Sequence, residues 1–105
     1  MDVLIRLVTF RPLEGQEREL RELISTQAVE INRRFGALLV WCLSGEPGMA
    51  IMSAWARGED LEAMRAHPEY QTLLNGIKAM SQDLADRRYW LIAGSPIGER
   101  HDEKQ

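Results

Sequence analysis

The chain has 105 residues, 45% of them hydrophobic and 28% charged, with a formal net charge of −3. That length suits one domain with a modest core and leaves no room for a second, while the apolar share and low charge exclude intrinsic disorder. Mild acidity argues against a sequence-independent nucleic-acid binder, and the longest apolar run is too short for a membrane-spanning helix. The opening Met1-Asp2-Val3-Leu4-Ile5-Arg6 lacks the basic leader of a secretory signal. A single cysteine, Cys42, excludes an internal disulfide and points to a reducing cytoplasm.

Residues 3–10 are β-branched and large apolar, are bounded by Pro12, and carry Arg6 as their one charge. They predict a strand with both faces at least partly buried. Residues 15–35 change to helical spacing, with Leu20, Leu23, Ile24, Gln27/Ala28, Ile31 and Phe35 in one stripe. Acid-to-base pairs such as Glu17–Arg21 and Glu30–Arg34 suit the solvated side, and Gly36 is placed to stop the helix. Residues 37–43 and 49–55 predict two strands joined through Ser44-Gly45-Glu46-Pro47-Gly48 as a hairpin. A second helical region opens at Gly58-Glu59-Asp60 and is broken at His67-Pro68, because the residue before proline is pushed out of the α region. Tyr70, Leu73, Leu74, Ile77, Met80 and Leu84 continue it, and residues 87–93 predict a fourth strand. Residues 1–93 thus read as one domain and 94–105 as a polar, flexible tail.

The order β-α-β-β-α-β is that of the ferredoxin-like α+β fold, a single antiparallel sheet with both helices on one face. In a monomer the opposite face should be polar. Here the first strand carries large apolar residues at both parities, the third offers Met52 against Ile51, and the fourth sets Tyr89/Leu91 against Trp90/Ile92. The expected solution is a homodimer joined through the uncovered sheet faces. Whether Tyr89 or Trp90 lies in that seam depends on a register the sequence leaves open.

Arg11-Pro12-Leu13-Glu14-Gly15-Gln16-Glu17 enters the first helix, and Ser53-Ala54-Trp55 ends the third strand. The following helices carry Asp60-Leu61-Glu62-Ala63 and His67-Pro68-Glu69-Tyr70, with Leu73-Leu74. In these features the chain resembles, over residues 3–93, the antibiotic biosynthesis monooxygenase-like proteins, whose ferredoxin-like protomers form dimeric α+β barrels. The resemblance implies a pocket between helices and sheet in each subunit. It also implies oxidation of a small aromatic or quinol-type substrate by O2 without a cofactor, the substrate anion supplying the electrons. Haem-degrading members use a helix histidine, a first-strand asparagine and the tryptophan ending the third strand. Trp55 matches that tryptophan, but the first strand has no asparagine and Leu74 or a neighbour stands at the histidine position, so no haem or other cofactor is expected. The antibiotic-oxidising members' second-strand histidine is likewise absent, Trp41 and Cys42 standing there.

Within that frame His67 is the candidate catalytic residue, the one histidine of the predicted domain and a group able to move a proton near neutral pH. It equally suits a helix-capping cation. Trp55, Tyr70, Met52, Met64 and Leu74 are the candidate substrate-binding residues: Trp55 a flat wall with one N–H, Tyr70 a hydroxyl donor to a phenol, the others a plastic apolar lining. Each has a plainer role as core packing. Cys42 lacks an electropositive neighbour and reads as inert. No histidine, cysteine or carboxylate spacing suggests a metal, no glycine-rich loop a phosphate, and no basic-aromatic strand an RNA partner. The rival to an oxygenase is a non-catalytic dimer that binds a hydrophobic metabolite or regulates.

Overall fold

The first strand sets the layering of the molecule. In the computed structural model, which describes residues 2–94, β1 (Leu4–Pro12) alternates with the two-residue period of a strand. Leu4, Arg6, Val8 and Phe10 are buried, and Ile5, Leu7 and Thr9 are half-buried. Two pairings place β1 at the centre of the sheet. It runs antiparallel to β3 (Gly48–Trp55), aligning Leu4, Arg6, Val8 and Phe10 with Trp55, Ser53, Ile51 and Met49, and antiparallel to β4 (Ser81–Trp90). With β2 (Leu39–Gly45) on the far side of β3, the strand order is β2-β3-β1-β4. That is the ferredoxin-like α+β order expected from the sequence.

The helices cover the Leu4/Val8/Phe10 face. They are α1 (Glu17–Leu23), a π-helical turn over Ile24–Ala28, α2 (Val29–Arg34), α3 (Gly58–Ala66) and α4 (Pro68–Ala79). Leu20, Ile24, Ala28, Ile31, Leu61, Met64, Leu73 and Ile77 close the core against the sheet. Gly36 (φ +106°) stops α2 in a Schellman arrangement: its N–H donates to the Arg33 carbonyl and the Ala37 N–H to that of Asn32. The α3–α4 break falls at His67, whose ψ of 137° is the extended value imposed by Pro68.

Three expectations are corrected. The single helix over 15–35 is interrupted by the π turn. Thr26 Oγ1 donates to the Glu22 carbonyl at 2.7 Å, competing for the acceptor that the ladder would use, and the Val29 N–H reaches back to Ile24. Second, helix α4 ends at Ala79, and Leu84 lies in β4 rather than on the helix. Met80 and Leu84 happen to be four apart, which mimics a helical repeat. The strand begins six residues earlier than 87, and Asp83, at φ 58°, marks a bulge where the β1–β4 register shifts between Thr9 and Arg11. Third, the hairpin turn is tighter than five residues, Gly45 pairing with Gly48 across Glu46-Pro47. The register also settles the aromatic pair: Trp90 lies opposite Leu4 on the helix side, and Tyr89 opposite Ile5 on the uncovered face. The polar tail expected over 94–105 falls, beyond Gly94, outside the described residues.

Candidate functional site

A charge buried in the middle of a strand must be paired, and Arg6 is 4% exposed. Its partner comes from β4, eighty positions away. Arg6 Nε donates to Asp86 Oδ1 at 3.0 Å and Nη2 to Asp86 Oδ2 at 2.8 Å, a two-pronged ion pair. Nη2 also donates to Tyr70 Oη at 2.8 Å, and the guanidinium lies 5.5 Å from the centre of the Tyr70 ring. Burial opposes the Arg6 charge. The hydrogen bond and charge of Asp86, with Tyr70, outweigh it and hold the guanidinium pKa above its ordinary value. For Asp86, burial pushes the carboxyl up, but the Arg6 hydrogen bond and charge, aided by Arg65 and Arg88, hold it below the usual aspartate range. Arg6 therefore stays cationic across the physiological range.

This group borders a cavity of about 20 Å³ between sheet and helices, lined by Arg6, Asn32, Ser53 and Tyr70 among apolar Val8, Ala28, Ile51, Leu73, Leu74 and Ile77. A space of that size accommodates about one water-sized group. Asn32 is 3% exposed; its Nδ2 donates to the Ala28 carbonyl at 2.7 Å, while its Oδ1 is buried without a hydrogen-bond partner among the described residues. An orphaned buried acceptor costs about 1–3 kcal/mol. The Tyr70 oxygen is occupied as an acceptor from Arg6, which leaves its O–H to donate. One cavity thus offers an ion-paired guanidinium, a hydroxyl donor and a free carbonyl acceptor.

The π turn is what aims Asn32 there. Four residues of α-helix overshoot a full turn by about 40°, so a line of residues spaced by four drifts around the helix. A π turn winds less per residue and offsets the drift. Leu20, Ile24, Ala28 and Asn32 consequently all face the sheet.

Of the residues singled out in the sequence, Tyr70 and Leu74 line the cavity. The others lie elsewhere. Trp55 is fully buried and spends its Nε1–H on Ser53 Oγ at 2.9 Å, and Met64 is fully buried in the core. Met52 pairs with Leu7 and Trp41 on the sheet face away from the helices. His67 is exposed; its Nδ1 accepts from the Glu69 N–H, making it the N-cap of α4, and its ring meets Phe35 edge-on. It does not border the cavity. Cys42 faces the helices, its Sγ–H reaching the Ile24 carbonyl, and burial pushes its pKa up.

Sequence reasoning had passed over Arg6, Asn32, Ser53 and Asp86 as site residues. Arg6 did carry a signal, a lone charge in an apolar strand. Asn32 carried none, because its inward position depends on the π turn. Among the described residues no three His, Cys, Asp or Glu side chains converge to hold a metal, and no helix is long and apolar enough to cross a membrane.

No protein-family model and no curated protein matches the sequence. Solved structures do match the fold. Rv0793 from Mycobacterium tuberculosis is similar with a TM-score of 0.76 at 12% identity, over 90% of this chain and 99% of that one. A candidate antibiotic biosynthesis monooxygenase from Deinococcus radiodurans gives 0.75 at 20% identity, over 93% and 99%. SnoaB, a cofactor-independent oxygenase from Streptomyces nogalater, gives 0.71 at 15% identity, over 94% and 100%. The chain has the ferredoxin-like protomer fold of the antibiotic biosynthesis monooxygenase-like structures, as its sequence resemblance implied.

Proposed function

We propose that the protein is a cofactor-independent monooxygenase of a small aromatic or quinol-type substrate, held by its hydroxyl between sheet and helices. The observation that carries this is the unpartnered Oδ1 of Asn32 on the same cavity as the free O–H of Tyr70. A phenolic hydroxyl satisfies both at once, accepting from Tyr70 and donating to Asn32. Asn32 holds the neutral phenol in the ground state; loss of its proton to water then gives the anion that is the electron donor to O2, with the Tyr70 O–H as the donor to its oxygen. An anthrone-type substrate then balances without an external reductant: its ring methylene becomes a ketone with one oxygen atom, and the other leaves as water. The likeness to SnoaB, itself a cofactor-independent oxygenase, supports the same chemistry.

The cavity takes the hydroxyl, and the ring enters as apolar lining side chains move aside. Haem is not expected here, because Leu74 has no ligating atom and no histidine is among the residues that line the cavity. Haemin titration should accordingly give no Soret shift. Pairing of two copies through the uncovered sheet face completes the proposed assembly.

Oxygen uptake with anthrone- and hydroquinone-type substrates tests the chemistry. Asn32→Leu should cut kcat/KM by about tenfold or more, the worth of one buried hydrogen bond, while leaving the fold intact. His67→Ala should leave turnover unchanged. One observation favours a rival: among the described residues no histidine or free carboxylate borders the cavity to take a proton. Phenol binding that is lost in Asn32→Leu, with no oxygen uptake by the wild type, would establish a non-catalytic module for a hydrophobic metabolite.

A further inference from the structure

Resting on the phenol-binding reading of the inner cavity, we infer that its entrance lies between α2 and α4, and that Leu73 is the gate that sets the size of the ring admitted. A surface depression of about 220 Å³ opens between these helices, lined by Thr26, Gln27, Glu30, Ile31, Glu69 and Leu73. Leu73 also lines the inner cavity. It is the one residue common to the two linings. At 4% exposure it stands with Ile31, at 2%, as the apolar wall between solvent and the orphaned Asn32 carbonyl.

Neighbouring residues alternate between the two spaces along the same helix. Gln27 and Ile31 face the depression, whereas Ala28 and Asn32 face the cavity. Leu73 is therefore the side chain that borders both spaces. Across the mouth, Arg34 of α2 joins Glu69 of α4 at 2.7 Å and Glu30 at 3.7 Å. All three groups are about half exposed, so this clasp is weak and can open at little cost.

A Leu rotamer change is among the cheapest movements available to a packed interior, and it joins the two spaces without unfolding either helix. The joined space has a charged, hydroxyl-binding inner end and a mouth with Thr26 and Gln27. The substrate class follows from that shape: a flat phenol whose hydroxyl leads inward and whose far edge carries hydrogen-bonding groups. The side chain at position 73 limits the width of the ring.

The test reads access separately from chemistry. In a Cys42→Ser background, Ser53→Cys places a thiol on the inner cavity, and its alkylation rate by a small methanethiosulfonate reports entry. Leu73→Ala should accelerate labelling about tenfold or more relative to Leu61→Ala, which removes an equally buried side chain that borders neither space. Leu73→Phe should slow labelling, and Leu73→Ala should shift preference from hydroquinone toward the wider anthrone. Equal acceleration by Leu73→Ala and Leu61→Ala, or none by either, overturns the gate. Labelling that follows residue 73 while no variant binds or oxidises any phenol upholds the gate and removes the phenol chemistry. Phenol turnover whose ring-size preference ignores residue 73 removes the gate alone.

Discussion

Asp86 carries more of the architecture than its place on an edge strand suggests. It is the only carboxylate bonded to the buried Arg6 guanidinium among the described residues. Asp86→Ala would leave that charge buried with only a tyrosine oxygen. Removing one partner of a fully buried pair costs about 3–5 kcal/mol; the 28% exposure of the Asp86 side chain admits water and brings the expected loss to about 2 kcal/mol. Its depressed pKa also fixes a pH dependence. The carboxyl is held below its unfolded value, so its stabilisation is fully present above about pH 3.9, the ordinary aspartate value, and is lost as pH falls through the folded pKa. Acid denaturation should therefore begin at higher pH in Asp86→Asn than in wild type, since the neutral amide lacks the ionic bond from the outset. Urea midpoints measured between pH 2 and 7 would check this. Identical pH profiles would show that the ion pair contributes nothing to folding.

At the scale of elements, the hairpin joining β2 and β3 is fitted against β1 with no room for a side chain. Gly48 has φ +137°, and a Cβ there would sit 2.5 Å from the Phe10 carbonyl oxygen and 3.0 Å from Arg11 Cγ. Gly48→Ala imposes both a disfavoured backbone conformation and a clash with main chain that cannot rotate away. It should cost about 2–4 kcal/mol, read as a lower thermal midpoint. Gly15→Ala is the useful comparison, having φ +83° but open space around its Cβ, so it should cost only about 1 kcal/mol. Equal losses would show that strain, not close packing, governs Gly48.

The same scale explains what was readable in advance. The β1 and β3 faces follow from two-residue periodicity, and the His67-Pro68 break follows from local sterics, so each could be read from neighbours alone. The start of β4 could not. Leu84 sits four residues after Met80 and looks helical, whereas pairing with β1 makes it a strand residue. The π turn was similarly hidden, since Ser25 and Thr26 hydroxyls facing the Glu22 carbonyl give no apolar signature. Asn32, whose placement depends on that turn, stayed invisible with it.

At the scale of the whole molecule, the described residues leave one sheet face uncovered. On it Trp41 is 38% exposed, Leu43 46% and Tyr89 50%, beside half-buried Ile5, Leu7 and Met52. A patch of this kind is stabilised by association, and a second copy brings the same patch in complementary orientation about a two-fold axis. The expected outcome is a dimer by light scattering at micromolar concentration. Trp41→Glu should convert it to a monomer with an unchanged far-ultraviolet circular dichroism spectrum, because the side chain is absent from the helix-facing core. A monomeric wild type would refute the assembly.

The sequence by itself determined the fold order, the division of the β1 and β3 residues into two faces, and the excess of apolar surface that asks for a partner. These depend on periodicity and turn chemistry, which act over a few residues. Only the tertiary structure decided the site. Arg6 and Asp86 meet across eighty positions because β1 and β4 are neighbours in the sheet, and Tyr70 joins them because α4 crosses above. A buried charge announces that it needs a partner; only the folded chain determines which residue that partner is.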